Sequence, residues 1–169
     1  MVSKHIFLIG YMGCGKSFWG KAIADSLAYD FIDLDELIEK REGLSIPEIF
    51  EQLGETTFRE RERLALESLS ALKIPAVIST GGGTPCFQNN MDRMNAMGET
   101  LFLMASPAVL KQNILKSSSV RPIVQTIPEN ELEDYIANHL EERLPFYQQA
   151  HLSVNVDGLN LEDLKQLFR

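Results

Sequence analysis

Cysteine is scarce in this sequence, and both long apolar runs and an excess of basic residues are lacking. The 169 residues include two cysteines, Cys14 and Cys86, which are too few for a disulfide framework and fit a reducing compartment. No apolar run approaches the roughly 20 residues that a membrane span needs. The run near the N-terminus is too short for a secretory signal. We therefore expect a cytoplasmic protein without a membrane segment.

The charge balance is acidic, with a formal net charge of −8 spread along the chain. Nucleic acids and anionic membranes bind basic faces, so we expect neither as a partner. An anionic small-molecule substrate would have to be attracted by local arginines. The chain is otherwise ordinary, with 44% hydrophobic and 24% charged residues, which predicts one globular domain over residues 1–169. We expect it to be a monomer.

Short apolar runs alternate with amphipathic segments along the chain. Strands are predicted at HIFLI (5–9), FIDLD (31–35), AVIST (76–80), TLFLMA (100–105) and LSVNV (152–156), with helices between them. This alternation predicts an α/β fold in which helices cover both faces of a mostly parallel sheet. Ligands of such sheets bind at the carboxyl ends of the strands. Polar motifs at those ends are therefore the candidate site.

The stretch GYMGCGKS (10–17) follows the first predicted strand and precedes a helix. It matches the pattern G-x-x-x-x-G-K-[ST] through Gly10, Gly15, Lys16 and Ser17. Glycines allow consecutive backbone N–H groups to form an anion nest at the helix N-terminus. Lys16 supplies charge for terminal phosphates, and the Ser17 hydroxyl can bind Mg²⁺. The motif predicts a nucleoside triphosphate site; the alternative is a glycine-rich turn before an ordinary helix.

Two carboxylates, Asp33 and Asp35, end the second predicted strand. Because they lie one pleat period apart, their side chains are expected to point the same way. One carboxylate could then bind a metal through water and the other a substrate hydroxyl. The alternative is a turn in which Asp35 caps the next helix. The strand at 76–80 ends in Ser79 and Thr80 rather than in the metal-binding Asp usual for P-loop proteins. That absence favours Asp33 as the metal-side acid.

Three arginines and one glycine run complete the candidates. Arg59 is either a ligand group or one half of a surface ion pair with Glu62, three residues further on. Arg121 lies in a polar segment, where it either closes over phosphates or stays an exposed loop residue. Arg143 either binds substrate or interacts with the C-terminus of its helix. The glycines at 81–83 lack Cβ atoms and favour close approach of a ligand over a simple bend.

In this order, GYMGCGKS, FIDLD, FRERE, GGG, RP and ERLPFY resemble the shikimate kinase family over nearly the whole chain. The resemblance implies a three-layer αβα fold of the P-loop nucleoside-monophosphate-kinase type, with a five-stranded parallel sheet. It also implies a substrate-binding subdomain at about 34–62 and a lid at about 115–128. The implied reaction transfers the γ-phosphoryl of ATP to the 3-hydroxyl of shikimate, on the route to chorismate and aromatic amino acids, with Mg²⁺ as cofactor.

The resemblance implies a role for each candidate residue. The residues that would bind ATP are Gly13, Cys14, Gly15, Lys16, Ser17, Phe18 and Arg121. The residues that would bind shikimate are Asp35, Arg59, Gly81, Gly82, Gly83 and Arg143, with Phe50 and Phe58 as an apolar wall. Mg²⁺ would be held by Ser17 and, through water, by Asp33. The residues that would be catalytic are Lys16, Asp35 and Arg121.

The chain departs from the family pattern at three places, all on the base side of the nucleotide. Phe18 replaces a hydroxyl residue, Ile114 stands where an adenine-stacking arginine is usual, and the late loop at 156–163 reads VDGLNLED. Two alternatives stay open. One is a sugar-acid kinase similar to gluconate kinase, which shares the loop and the fold. The other is a catalytically idle nucleotide-binding module, which the departures would support.

Overall fold

A five-stranded parallel sheet forms the centre of the computed structural model, which describes residues 4–117 and 126–166. The strands are β1 His5–Ile9, β2 Asp30–Asp33, β3 Ala76–Ser79, β4 Gly98–Met104 and β5 Leu152–Asn155. Their order across the sheet is β2-β3-β1-β4-β5, and every pair is parallel. The central strand β1 is buried at every position, as its unbroken apolar sequence requires. The predicted fold class is confirmed.

Helices flank this sheet. They are α1 Lys16–Leu27, α2 Leu34–Glu42, α3 Ile46–Ser68, α4 Asn90–Met97, α5 Pro107–Lys116, α6 Leu132–Tyr147 and α7 Leu161–Gln166, with short 3₁₀ turns at Leu69–Ala71 and Thr84–Cys86. Helix α2 packs against α3, α5 against α6, and α1 against α7. No helix in the described ranges is long and apolar enough to cross a membrane. Arg121 and most of the predicted lid at 115–128 lie outside the described residues.

Local sequence signals set several helix ends. Gly43 ends α2 in the left-handed conformation, with φ 69°, which glycine adopts without strain. Ser45 begins α3 in a capping box with Glu48, as the sequence predicts. Gly54 interrupts α3 with φ 80° and ψ 166°, so the helix bends there. The bend separates the short segment 46–53 from the longer one that carries Arg59.

The end of β2 corrects one expectation. The strand stops at Asp33, and α2 has already begun at Leu34. Asp35 therefore belongs to the first turn of a helix, and the argument from a strand pleat is wrong. The helix cap is Asp33 rather than Asp35, because the Asp33 side chain accepts from the backbone N–H groups of Asp35 and Glu36.

Candidate active site

The glycine-rich loop between β1 and α1 borders a cavity of about 530 Å³. Gly10, Gly13 and Gly15 have φ values of 146°, 86° and 87°, in the region that favours glycine. Gly15 is the N-cap of α1 and makes no side-chain cap. The first backbone N–H groups of α1 therefore face the cavity as donors for an anion.

Lys16 reaches back over this loop. Its Nζ donates to the carbonyl oxygens of Gly10 and Tyr11 at 2.8 and 3.0 Å and lies 3.8 Å from Cys14 Sγ. Cys14 is buried, and its side chain packs inside the loop. Lys16 and Cys14 both line the cavity, so the predicted phosphate-binding residues come together in the structure.

Asp33 joins the end of β2 to the start of α1. Its Oδ2 accepts from Ser17 Oγ at 2.9 Å, and Ser17 Oγ also lies 3.4 Å from Ser79 Oγ. Its Oδ1 accepts from the backbone N–H of Asp35 at 3.0 Å. Capping α2 therefore fixes the orientation of this carboxylate and leaves the other oxygen directed at Ser17. The structure brings the two predicted metal-side residues together.

Asp35 lines the same cavity from the first turn of α2. Desolvation, followed by the negative charges of Asp33 and Glu62, raises the pKa of Asp35 to about 6, while Lys16 acts in the opposite direction. A carboxyl group with a pKa near the working pH is suited to general acid–base chemistry. The two carboxylates thus face one cavity, as predicted, although a helix turn rather than a pleat places the second.

The glycines at 81–83 are where three of the predicted site residues meet. A Cβ on the first glycine would lie 3.2 Å from Asp35 Oδ1, and one on the second would lie 3.2 Å from Arg143 Nη1. A Cβ on the third would lie 2.8 Å from Arg59 Nη1. Three predicted site side chains from three helices therefore approach this backbone as closely as glycine allows. Close approach of a ligand to these glycines stays a prediction.

Arg59 is held in place by acidic and aromatic neighbours. Its Nη1 donates to Glu62 Oε2 at 3.1 Å, and its Nη2 donates to Glu55 Oε1 at 3.2 Å. Its guanidinium carbon lies 3.9 Å from the centre of the Phe87 ring and 5.1 Å from that of Phe58. Only 12% of the Arg59 side chain is exposed. The ion pair with Glu62 is therefore present, but it is buried rather than on the surface, and the ligand role of Arg59 stays a prediction.

Glu62 is a buried residue for which the sequence predicts a surface pair with Arg59 as one alternative. It is fully buried, and its Oε1 accepts from Thr84 Oγ1 at 2.5 Å. Desolvation raises its pKa, while Thr84 and Arg59 act in the opposite direction. Helix periodicity could have found it, because Glu62 lies four residues after Phe58 and three before Ala65, which are both buried.

Two tyrosines that the sequence analysis did not select support Arg143. The Arg143 guanidinium carbon lies 5.5 Å from the centre of the Tyr11 ring, and the Tyr11 hydroxyl is 2.9 Å from His139 Nδ1. Tyr147, fully buried one turn after Arg143, donates its hydroxyl to the Gly82 carbonyl at 2.6 Å. Arg143 is thus tied to both the glycine-rich loop and the triglycine segment.

The base side of the cavity is built differently from what the family pattern implies. Ile114 is 6% exposed, and a Cβ on Gly13 would lie 3.0 Å from its Cγ1, so Ile114 packs beneath the loop. Its neighbours Asn113 and Ser117 line the cavity instead, together with Phe18. The Asn113 Nδ2 donates to the Gly13 carbonyl at 2.8 Å.

Known proteins match this chain over nearly its whole length. The shikimate kinase family matches residues 12–168. The shikimate kinase of Bacteroides thetaiotaomicron is 46% identical over 163 residues, covering 96% of this chain and 91% of the relative. A crystal structure of shikimate kinase from that organism superposes with a TM-score of 0.89 at 43% identity, covering 98% of this chain and 96% of the other. Shikimate kinase from Acinetobacter baumannii in complex with shikimate gives a TM-score of 0.86 at 31% identity, covering 98% and 90%. This chain belongs to the shikimate kinase family.

Proposed function

We propose that this enzyme transfers the γ-phosphoryl of ATP to the 3-hydroxyl of shikimate, giving shikimate 3-phosphate and ADP on the route to chorismate and aromatic amino acids. The observation that carries the proposal is the meeting of Asp35, Arg59 and Arg143 at the glycines 81–83, beside a loop built for phosphates. Two cations and one proton acceptor suit a hydroxylated carboxylic acid. The comparisons favour neither the sugar-acid kinase nor the idle module.

On the acceptor side, Arg59 and Arg143 would bind the carboxylate, because the planar guanidinium fork matches two carboxylate oxygens. Asp35 would orient the ring hydroxyls and accept the proton of the attacking one. The glycines at 81–83 would allow the ring to approach the backbone. Phe50 and Phe58, whose ring centroids lie 4.5 Å apart, would form the apolar wall.

On the donor side, the backbone of Gly13, Cys14 and Gly15 would hold the phosphates, and Lys16 would compensate the charge of the terminal groups. Positioning and charge compensation are most of what phosphoryl transfer requires of a protein. Phe18 would contact the nucleoside part of ATP. Arg121, which lies outside the described residues, is proposed from the sequence as the lid cation, because a closed lid excludes the water that would hydrolyse ATP.

The donor chemistry of Ser17 and Asp33 fits Mg²⁺. Both offer hard oxygen ligands to one point, since their side-chain oxygens are 2.9 Å apart. Magnesium keeps several waters and takes one or two carboxylates together with substrate phosphates. Ser17 would bind the ion directly and Asp33 through water. When bound, Mg²⁺ neutralises charge that develops on the phosphate oxygens.

The organisation of the chain is part of the proposal. We propose one domain over residues 1–169, with a substrate-binding subdomain at 34–62 and a lid at 115–128. The packing of α2 against α3 supports the subdomain. The two free cysteines, Cys14 and Cys86, support a reducing compartment such as the cytoplasm. We also propose that the enzyme is a monomer.

The test is coupled ADP release from Mg·ATP with shikimate, gluconate, a nucleoside monophosphate or no acceptor. We expect stimulation by shikimate alone. Stimulation by gluconate instead would favour the sugar-acid kinase. Tight shikimate binding without stimulation would favour the idle module.

A matched pair of variants tests whether Arg59 binds the acceptor. Arg59→Ala should abolish shikimate-dependent turnover or raise the KM for shikimate. Arg61→Ala should leave both unchanged, since Arg61 lies on the same helix but pairs with Glu42 at 3.2 Å and is 42% exposed.

A further inference from the structure

The residues that line the main cavity fall into two sets on either side of the glycine-rich loop. The first set contains Asp33, Asp35 and the segment 79–82, which belong to the proposed metal and acceptor sites. The second set lies beyond the loop and consists of Phe18, Trp19, Val109, Asn113, Ser117 and Val156. Because the loop holds the phosphates and the acceptor occupies the first side, the nucleoside must extend toward the second.

Phe18 is the prominent feature of this second set. It is 66% exposed, the largest fraction among the exposed large hydrophobic side chains of the described ranges. Its ring meets Trp19 edge-on, with centroids 5.0 Å apart, and Trp19 itself is only 9% exposed. A buried indole therefore supports an exposed aromatic ring at the edge of the nucleotide cavity.

The second set offers no charged side chain, among the residues that the structure describes, that could distinguish one base from another. Val109 and Val156 carry no polar side-chain group. The polar side-chain groups of the second set belong to Trp19, Asn113 and Ser117, and one N–H of the Asn113 amide is already engaged, because it donates to the Gly13 carbonyl at 2.8 Å. Strong discrimination requires groups that hydrogen-bond to the distinguishing atoms of a ligand. Aromatic and apolar contacts stabilise every base to a similar extent, because every base has an aromatic face.

We propose that the Phe18 ring contacts the nucleoside of the bound nucleotide and that this enzyme discriminates only weakly between purine bases. The inference rests on the proposed function, because it requires a nucleotide on the glycine-rich loop. It makes Phe18 a determinant of nucleotide affinity and makes guanine nucleotides effective ligands beside adenine nucleotides.

Isothermal titration calorimetry of the full-length protein with Mg·ADP and with Mg·GDP tests this. For the unaltered protein we expect dissociation constants within about tenfold of each other, as for contact through a ring face. Phe18→Ala should weaken both nucleotides by at least about fivefold, the lower bound for loss of one stacking contact. Phe18→Tyr keeps an aromatic ring and should retain both affinities. Ile74→Ala, which truncates another side chain that is 59% exposed outside the cavity, should change neither.

A preference for Mg·ADP above about tenfold would overturn the inference, as would a Phe18→Ala variant that loses less than about fivefold for either nucleotide. Shikimate-dependent ADP release at saturating ATP separates this inference from the proposed function. If that activity is present but either calorimetric expectation is not met, the inference is wrong and the proposed function stands. If neither nucleotide binds, the inference and the nucleotide half of the proposed function fall together.

Discussion

At the scale of single residues, Asp35 is the group whose ionisation matters most to the proposed transfer. It must be ionised to accept a proton, and desolvation with the charges of Asp33 and Glu62 raises its pKa to about 6. We expect kcat/KM for shikimate to fall on the acid side with an apparent pKa near this value, because kcat/KM reports groups of the free enzyme. An acid limb near pH ~4, where an ordinary aspartate titrates, would contradict the assignment.

The same shift predicts that Asp35 destabilises the fold at neutral pH. Its folded pKa of about 6 lies above the ordinary value of 3.8. Its contribution to stability is therefore fully present below pH 3.8 and is lost as the pH rises through 6. Asp35→Asn should raise the free energy of unfolding by up to about 3 kcal/mol at pH 7.5, and by much less near pH 4. Urea denaturation at both pH values measures this. An equal gain in the free energy of unfolding at both pH values would show that the effect comes from packing. The control is Asp25→Asn, on the exposed part of α1.

Gly83 is expected to matter because of Arg59 and not because of its own backbone. Its φ of −87° is ordinary, so alanine brings no backbone strain. The new Cβ would lie 2.8 and 2.9 Å from the two terminal nitrogens of Arg59, so the guanidinium must move. We expect Gly83→Ala to raise the KM for shikimate by about tenfold or more, with the KM for ATP and the melting temperature nearly unchanged. A rise in both KM values would show a wider disturbance.

At the scale of elements, α6 is tied to the triglycine segment by one hydrogen bond. The buried Tyr147 hydroxyl donates to the Gly82 carbonyl at 2.6 Å, and Arg143 lies one turn earlier on the same helix. Tyr147→Phe leaves that carbonyl without its donor, which costs about 1–3 kcal/mol of stability. It also removes the tie that positions Arg143 against the glycines. We expect the KM for shikimate to rise more than the KM for ATP, whereas a purely structural role would lower stability without such a split. Tyr135→Phe on the same helix is the control.

Elements were predictable where the signal is local. A few neighbouring residues predict where each strand lies along the chain. They also predict the end of α2 at Gly43 and the capping box of Ser45 and Glu48. They do not predict the end of β2, because it depends on pairing with β3. The last pair in that register is Asp33 with Ser79, and this pairing makes Asp33 rather than Asp35 the cap of α2.

Sequence motifs identify the residues of the candidate site but not the contacts that support them. Lys16, Asp35 and Arg59 belong to motifs that can be read from the chain. Glu62 bonds to Thr84, 22 residues away, and the Tyr147 hydroxyl bonds to a carbonyl 65 residues away. Such partners exist only once the sheet has assembled, so no spacing in the sequence reveals them.

At the scale of the whole molecule, the residues proposed to bind the two substrates come from different parts of the fold. The phosphate loop joins β1 to α1, whereas Arg59 comes from α3 and Arg143 from α6. We therefore expect Lys16 and Arg59 to act on different ligands within one enzyme. Binding of each ligand should be lost separately, even though catalysis needs both.

Thermal unfolding of two variants tests this separation. A ligand at about 100 times its dissociation constant stabilises the native state by about 2.7 kcal/mol. For a domain of this size that raises the melting temperature by roughly 5–10 °C. Lys16→Ala should lose most of the shift caused by Mg·ADP and keep the shift caused by shikimate, whereas Arg59→Ala should do the reverse. If Arg59→Ala lost both shifts, Arg59 would support the fold of the whole cavity, and its assignment to the acceptor carboxylate would be wrong. If Lys16→Ala kept the full Mg·ADP shift, charge compensation by Lys16 would not contribute to holding the nucleotide.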